Sequence, residues 1–221
     1  MKLVLASNNA GKLRELQALF TGLPVELIHQ GALGVSEADE PHPTFLENAL
    51  AKARHASAAS GLPAIADDSG LCVAALAGLP GVDSAVYAGP VPPQAGEDRE
   101  AHRRRQDAAN IHKLLQALAQ HSSSLGAESE QRRARFVCTL VAIRHAQDPE
   151  PLVAFGRWEG VLLRTPQGQG GFGYDPLMFI PELQASVAEL SPQLKNQHSH
   201  RALAAAQLRQ LMVQAWSLHA A

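Results

Sequence analysis

The chain has 221 residues, 46% of them hydrophobic and 18% charged, enough apolar mass for a proper core and too little charge for extended disorder. Nineteen basic residues against 21 acidic ones leave a formal net charge of −2. No general field therefore draws in nucleic acid or an anionic membrane, and an anionic ligand has to be held by local groups. Cys72 and Cys138, the only cysteines, lack the C-x-x-C or Cys/His spacing of a zinc or redox site and read as buried reduced thiols. No stretch has the length of a signal-peptide core or a membrane span, which predicts a soluble cytoplasmic protein.

Leu3 to Ala6 reads as a buried strand, followed by the polar turn Ser7 to Gly11 and a helix with Leu13, Leu16, Leu19 and Phe20 on one face. Val25 to Ile28 suggests a second strand, and Gly31 to Pro43 a loop carrying Glu37, Asp39 and Glu40. A second helix starts near Thr44, where Thr44-Phe45-Leu46-Glu47 fits a capping box. Phe45, Ala49, Ala53 and Ala56 form its apolar stripe, and Asn48, Lys52 and His55 line up on another face. The capping box accounts for Glu47 structurally, whereas Asn48 and Lys52 are expected to line a cleft.

The apolar run Ala64 to Ala66 then meets Asp67 and Asp68, ahead of a turn begun by Ser69 and Gly70. Strand ends are where α/β proteins place their chemistry. Two adjacent carboxylates held there ask for a divalent cation or a shared proton; an Asp-rich turn capping the next segment is the alternative. Glycines and prolines break regular structure from Gly78 to about Asp98. Asp107 to Ala119 is amphipathic, with Ile111, Leu114, Leu115 and Leu118 as its stripe, and Ser122 to Gln131 reads as a linker. Phe136 to Ile143 and Leu152 to Leu163 read as strands able to pair across the Asp148-Pro149 turn, and the chain ends in a helix from about Ser199 to Trp216. Strands mixed with helices predict an α/β protein with a mixed sheet.

Three further stretches bear on ligands. Ser7-Asn8-Asn9-Ala10-Gly11-Lys12 joins a strand to a helix, a geometry that favours phosphate. It departs from a Walker A loop at Ala6 and Leu13, which disfavours a P-loop kinase or ATPase. Gly170 to Pro176 sets Phe172, Tyr174 and Asp175 among three glycines, so an aromatic ring can stack on a flat ligand while the carboxylate binds a ring N–H or a ribose hydroxyl. Lys195, His198, His200 and Arg201 bring four potential cations together before the last helix. Asp67-Asp68-Ser69 lacks the Asp-x-Asp spacing of a haloacid-dehalogenase phosphatase.

Taken in order, five blocks resemble the Ham1/RdgB family of inosine triphosphate pyrophosphatases: Ser7 to Lys12, Thr44 to Ala49 with Lys52-Ala53, Ala66 to Leu71, Gly170 to Pro176, and Lys195-Asn196 with Ser199-His200-Arg201. The resemblance implies a single domain over residues 1–221 with two lobes: an ITPase-like α/β fold with an elongated mixed sheet flanked by helices and a central nucleotide cleft. It implies a magnesium-dependent enzyme, homodimeric, that hydrolyses ITP, dITP and XTP to the monophosphate and pyrophosphate and so cleanses the nucleotide pool, without nucleic acid or membrane as partner. By position, Asp68 matches the family's proton acceptor and a metal-associated carboxylate, the second metal-linked acid being Asp39 or Glu40. Ser7, Asn8, Asn9, Ala10, Gly11, Lys12, Ser69, Phe172, Gly173, Tyr174, Asp175, Lys195, His200 and Arg201 match its substrate-contacting positions. Backbone amides, His200 or Arg201 are the donors expected to read a 6-oxo purine against adenine. Residues Pro92 to Arg105 and Ser122 to Arg133 are longer than the family pattern, which puts dimer geometry in question more than chemistry. A pyrophosphatase for modified pyrimidine or methylated nucleotides, and a nucleotide sensor without hydrolysis, are the competing readings.

Overall fold

The computed structural model describes residues 1–121 and 131–218. Seven strands, β1 (Lys2–Leu5), β2 (Glu26–His29), β3 (Ala64–Val73), β4 (Arg133–Ile143), β5 (Leu152–Leu162), β6 (Met178–Ile180) and β7 (Ala185–Ser186), form one sheet in the order β2-β1-β3-β4-β5-β6-β7. β1 pairs parallel with β2 and β3, while β6 pairs antiparallel with β5 and β7, so the sheet is mixed as predicted. The helices are α1 (Ala10–Leu19), α2 (Phe45–Ser60), α3 (Arg99–His121), α4 (Pro192–His198) and α5 (His200–Ala215). Among the described residues no helix is long and apolar enough to cross a membrane.

The chain divides into two compact units, one of Met1–Ser69, Val137–Arg157 and Asn196–Ala221, the other of Gly70–Phe136 and Trp158–Lys195. In the first unit the strand period of two sorts side chains cleanly onto two faces. Leu3, Leu5, Ile65, Cys138, Leu140 and Ala154 pack with Leu16 and Phe20 at α1 and Ala204, Leu208 and Met212 of α5. Val4, Ala6, Ala64, Ala66, Val141 and Ile143 pack on the other face with Ala49, Ala53 and Ala56 of α2, the stripe read from the sequence. Thr44 caps α2 by accepting from the Glu47 amide at 3.2 Å, and its hydroxyl donates to the Glu47 carboxylate at 2.6 Å. The core of the second unit gathers Leu71, Val73, Leu114, Leu118, Phe136, Trp158, Leu162, Leu177 and Met178.

Three expectations are corrected. Asp67 to Gly70 is no turn, because β3 runs unbroken from Ala64 to Val73. Gly70 serves close approach instead: a Cβ there would lie 2.4 Å from both the Gly81 carbonyl oxygen and the Ser84 hydroxyl, which itself accepts from the Leu71 amide. The helix placed at Asp107 begins eight residues earlier, at Arg99, so much of the Pro92 to Arg105 insertion is helical. Asp98 accepts from the Ala101 amide at 2.7 Å, and Arg105 forks onto Glu97, fastening the preceding loop to the helix. Finally, Cys72 is only half-buried, although Cys138 is buried and neither is in a disulfide among the described residues. Of the expected linker Ser122 to Gln131 and insertion Ser122 to Arg133, residues 122–130 lie outside the described residues.

Candidate active site

Because β3 continues through the acidic pair, Asp67 and Asp68 point to opposite faces of the sheet, with Lys12 and Arg201 bonded to Asp67 and Lys52 bonded to Asp68. A proton shared between the two carboxyls is therefore not how the pair is accommodated. Asp67, buried, lies on the α1 and α5 face. It accepts from Lys12 Nζ at 2.5 Å, Arg201 Nε at 2.7 Å, the Ser69 hydroxyl at 2.7 Å and the Cys138 thiol at 3.4 Å. Burial alone would raise this carboxyl, but Arg201 and Lys12 outweigh it and hold Asp67 well below the usual carboxylate range. Burial, with Asp67 beside it, pushes the Cys138 thiol well up, so it stays protonated.

Arg201 belongs to the first turn of α5, whose cap Ser199 accepts from the Ala202 amide. The helix comes so near β5 that a Cβ on Gly156 would lie 1.8 Å from the His200 carbonyl oxygen, and that approach brings His200 and Arg201, both buried, to the sheet. Arg201 Nε reaches Asp67, Nη2 the Ser69 hydroxyl at 2.9 Å, and Nη1 the Glu15 carboxylate. The expected base-reading donor is thus engaged within the protein at all three guanidinium nitrogens. Burial would lower its pKa, yet Asp67 and Glu15 raise it.

Asp68 sits on the α2 face under different electrostatics. Lys52 Nζ donates at 2.9 Å both to Asp68 Oδ1 and to Glu40. Burial lifts Asp68 to about 6 even though Lys52 and Lys12 pull it down. Its Oδ2 is buried with no hydrogen-bond partner among the described residues, an unusual state for a carboxylate oxygen. Burial would lower Lys52, but Asp68 and Glu40 raise it, so it remains a cation. Asn48, expected with Lys52 on an exposed face, is instead buried and exchanges two hydrogen bonds at 3.0 Å with the main chain of His42.

The acid-bearing loop before α2 is tied down by Asn8, which donates to Glu37 at 3.0 Å, and by Ser36 against His55. Asp39 is exposed and makes no side-chain hydrogen bond or ion pair among the described residues. The Ser7 to Lys12 turn offers fewer open amides than expected: Asn9 caps α1 by accepting from the Gly11 and Lys12 amides at 2.9 and 3.2 Å, and Ser7 accepts from the Asn9 amide. Among the described residues no three His, Cys, Asp or Glu side chains gather as a ready metal cage. An orphaned, buried carboxylate oxygen with Glu40 on the same lysine nevertheless fits a hard divalent cation, which takes oxygen ligands.

The second unit carries the other predicted residues. Gly171 and Gly173 have φ of +72° and +63°, and a Cβ on Gly171 would fall 2.0 Å from Asp175 Oδ2. That oxygen accepts from the Phe172 amide at 2.9 Å and from Lys195 Nζ at 2.7 Å, while Lys195 lies 4.6 Å over the Phe172 ring. Tyr174 does not offer its ring: it is buried in the core, its hydroxyl donates to the Ser84 carbonyl at 3.0 Å, and burial raises its pKa. Lys195 in α4 pairs with Asp175 here, while His200 and Arg201 belong to the first unit, so the four predicted cations divide; His198 is exposed.

Sequence reasoning underrated Lys52 and passed over Glu15 and Asp107. Glu15 falls one helical turn after Lys12, a spacing that marks it in retrospect. Nothing local marks Asp107, whose partner, the Gly173 amide, is 66 positions away.

A model of the Ham1 family matches residues 3–211. The chain is 64% identical to the dITP/XTP pyrophosphatase of Leptothrix cholodnii, across 99% of this chain and all of that one. It is 60% identical to that of Methylibium petroleiphilum, across 98% and 99%. Among solved structures, a HAM1 protein from Coxiella burnetii superposes with a TM-score of 0.81 at 42% identity, covering 97% of this chain and 99% of that one. The Ham1 protein of Staphylococcus aureus gives 0.76 at 34% identity over 97% and 100%. The chain belongs to the Ham1 family.

Proposed function

We propose that this protein is a nucleoside-triphosphate pyrophosphatase that hydrolyses the non-canonical purine nucleotides dITP, ITP and XTP to the monophosphate and pyrophosphate. The observation that carries the reading is Asp68 Oδ2, a buried acceptor with nothing to accept, on a carboxyl lifted to about 6. At neutral pH such a group is mostly ionised yet more basic than an ordinary carboxylate, which suits a general base. A water hydrogen-bonded to Oδ2 gives its proton to Asp68 as its oxygen attacks the α-phosphorus; the bond from that phosphorus to the α,β-bridging oxygen breaks and pyrophosphate leaves. Lys52 keeps Asp68 oriented by holding Oδ1. Lys12, Ser69 and the Ser7 to Gly11 turn are assigned to the phosphates, with Asp67 and Arg201 fixing Lys12 and Ser69 in place.

Asp68 and Glu40, with Asp39 in the same loop, would hold magnesium, which when bound neutralises phosphate charge. In the second unit, taken by itself, the exposed part of the Phe172 ring with Lys195 above it suits a nucleobase, and Asp175 keeps both in place. A donor aimed at position 6 pairs with the carbonyl of hypoxanthine or xanthine and opposes the amine of adenine. The relatives from Leptothrix cholodnii and Methylibium petroleiphilum are named dITP/XTP pyrophosphatases, which supports the substrate class; homodimeric assembly and a cytoplasmic location belong to the same proposal.

The test is pyrophosphate release from dITP, XTP, GTP and ATP, with and without magnesium. Rates on dITP and XTP should exceed those on ATP by roughly tenfold or more, the value of one buried donor left unpaired. Asp68→Asn should abolish turnover while nucleotide binding stays measurable by calorimetry. Equal rates on all four nucleotides, or full activity in that variant, refute the reading.

A further inference from the structure

Two consecutive amides of the glycine-rich loop, those of Phe172 and Gly173, are each received by a carboxylate. The first is Asp175, three residues along the chain, at 2.9 Å. The second is Asp107 of α3, whose Oδ2 accepts from the Gly173 amide at 2.8 Å. We propose that Asp107 is a positioning residue for nucleobase binding: by holding the Gly173 amide it sets the backbone on which Phe172 is mounted, and so governs affinity for substrate without touching it. This rests on the pyrophosphatase reading above.

The geometry is specific. Gly173 has a positive φ of +63° with nothing within 4 Å of where a Cβ would stand, and the Asp107 bond is what fixes its amide. On the other side of Phe172, Gly171 at φ +72° is pressed against Asp175. Phe172 thus lies between two left-handed glycines, each next to a carboxylate, with Lys195 held over the ring by the Asp175 ion pair. Asp107 has little else to do there. Its other oxygen faces Arg103 at 3.8 Å, a long contact to a half-exposed side chain and of small worth. Burial raises its pKa, the Gly173 amide and Arg103 act against that, and the neighbouring Asp175 adds to it, so keeping a carboxylate here runs against the local electrostatics. A surface acid with a merely structural role would be better solvated.

The experiment is steady-state kinetics on dITP for the wild type, Asp107→Ala, Asp107→Asn, Phe172→Ala and the double variant Asp107→Ala/Phe172→Ala. Losing the acceptor should raise KM roughly tenfold, the effect of orphaning one amide, with kcat within about twofold of wild type. Asp107→Asn keeps an acceptor oxygen and should restore KM to within about threefold of wild type, which global destabilisation does not predict. In the double variant, Asp107→Ala should add nothing to the Phe172→Ala increase, because the two act through one ring. A KM unmoved in Asp107→Ala, an Asn variant as impaired as the Ala variant, or fully additive effects in the double variant would each overturn the inference while leaving the pyrophosphatase reading intact. A wild type that releases no pyrophosphate from dITP removes that reading and this inference together.

Discussion

Replacing Lys52 with methionine isolates the electrostatics of Asp68. The ammonium lies 2.9 Å from Asp68 Oδ1, and the two side chains are 11% and 6% exposed, so water screens the pair little. Burial drives the carboxyl up and Lys52 is the largest influence bringing it back to about 6. An opposite charge at this range moves a carboxyl by about 1–3 pK units, so in Lys52→Met Asp68 should titrate between about 7 and about 9. Carbon-13 NMR of labelled aspartate carboxyls in the metal-free protein reads this directly, with Asp68→Asn assigning the resonance. If the value settles near 8, about a tenth of the enzyme is ionised at pH 7, and kcat/KM should fall roughly tenfold there and recover towards pH 9. The sign for stability follows. A carboxyl whose folded pKa lies above its ordinary value of 3.8 favours the native state most when protonated, and that advantage is lost as pH rises from about 4 through 6. The variant should extend this loss to higher pH, so that Asp68 goes on lowering stability up to about pH 8, beyond the range in which it does so in the wild type. An Asp68 that stays near 6 in Lys52→Met would refute the reasoning.

Two other perturbations probe the scaffold. Arg201→Leu leaves Asp67 and Glu15 without their shared guanidinium and should destabilise the fold by about 3–5 kcal/mol, measured by urea unfolding. Since the depressed pKa of Asp67 contributes stability at neutral pH that disappears only as pH falls through its folded value, the variant should also unfold at a higher pH on acidification. Unchanged acid unfolding would show that Arg201 does not hold Asp67. Gly70→Ala forces a Cβ to 2.4 Å from the Gly81 carbonyl oxygen and the Ser84 hydroxyl and should cost about 1–3 kcal/mol or more by overpacking; a shift under about 0.5 kcal/mol would mean that the strand relaxes freely.

What the sequence made legible was periodicity and punctuation. The alanine stripe of α2, the Thr44 cap, the paired strands β4 and β5 and the Ser199 start of α5 are all local signals, and each is where its residues said it would be. The acidic pair misled for a physical reason: Ser69-Gly70 has the composition of a turn, but the glycine is dictated by the crowding of Gly81 and Ser84 against the strand, which no window of sequence contains. The start of α3 was missed because prolines and glycines upstream suggested irregular chain, while Asp98 and the Glu97–Arg105 fork begin the helix earlier. Which side chains stand at the strand ends and in the glycine-rich loop was readable from motifs; which of them meet one another was not. Arg201 looks the same on paper whether it meets a ligand or, as here, Asp67, Glu15 and Ser69.

The pleat of β3 lets neighbouring residues live in separate electrostatic worlds. Asp67 is locked into a permanent anion by a ring of donors, whereas Asp68, one peptide further on, keeps an oxygen in reserve and a proton affinity near physiological range. A change at Lys52 bears on Asp68 while the Arg201 and Glu15 fastening stays in place, whereas Lys12, bonded to Asp67 and also lowering Asp68, links the two sides. The same arrangement makes a single-residue slip of this strand doubly damaging, because it would exchange the faces of the two acids and bring each to the other's partners.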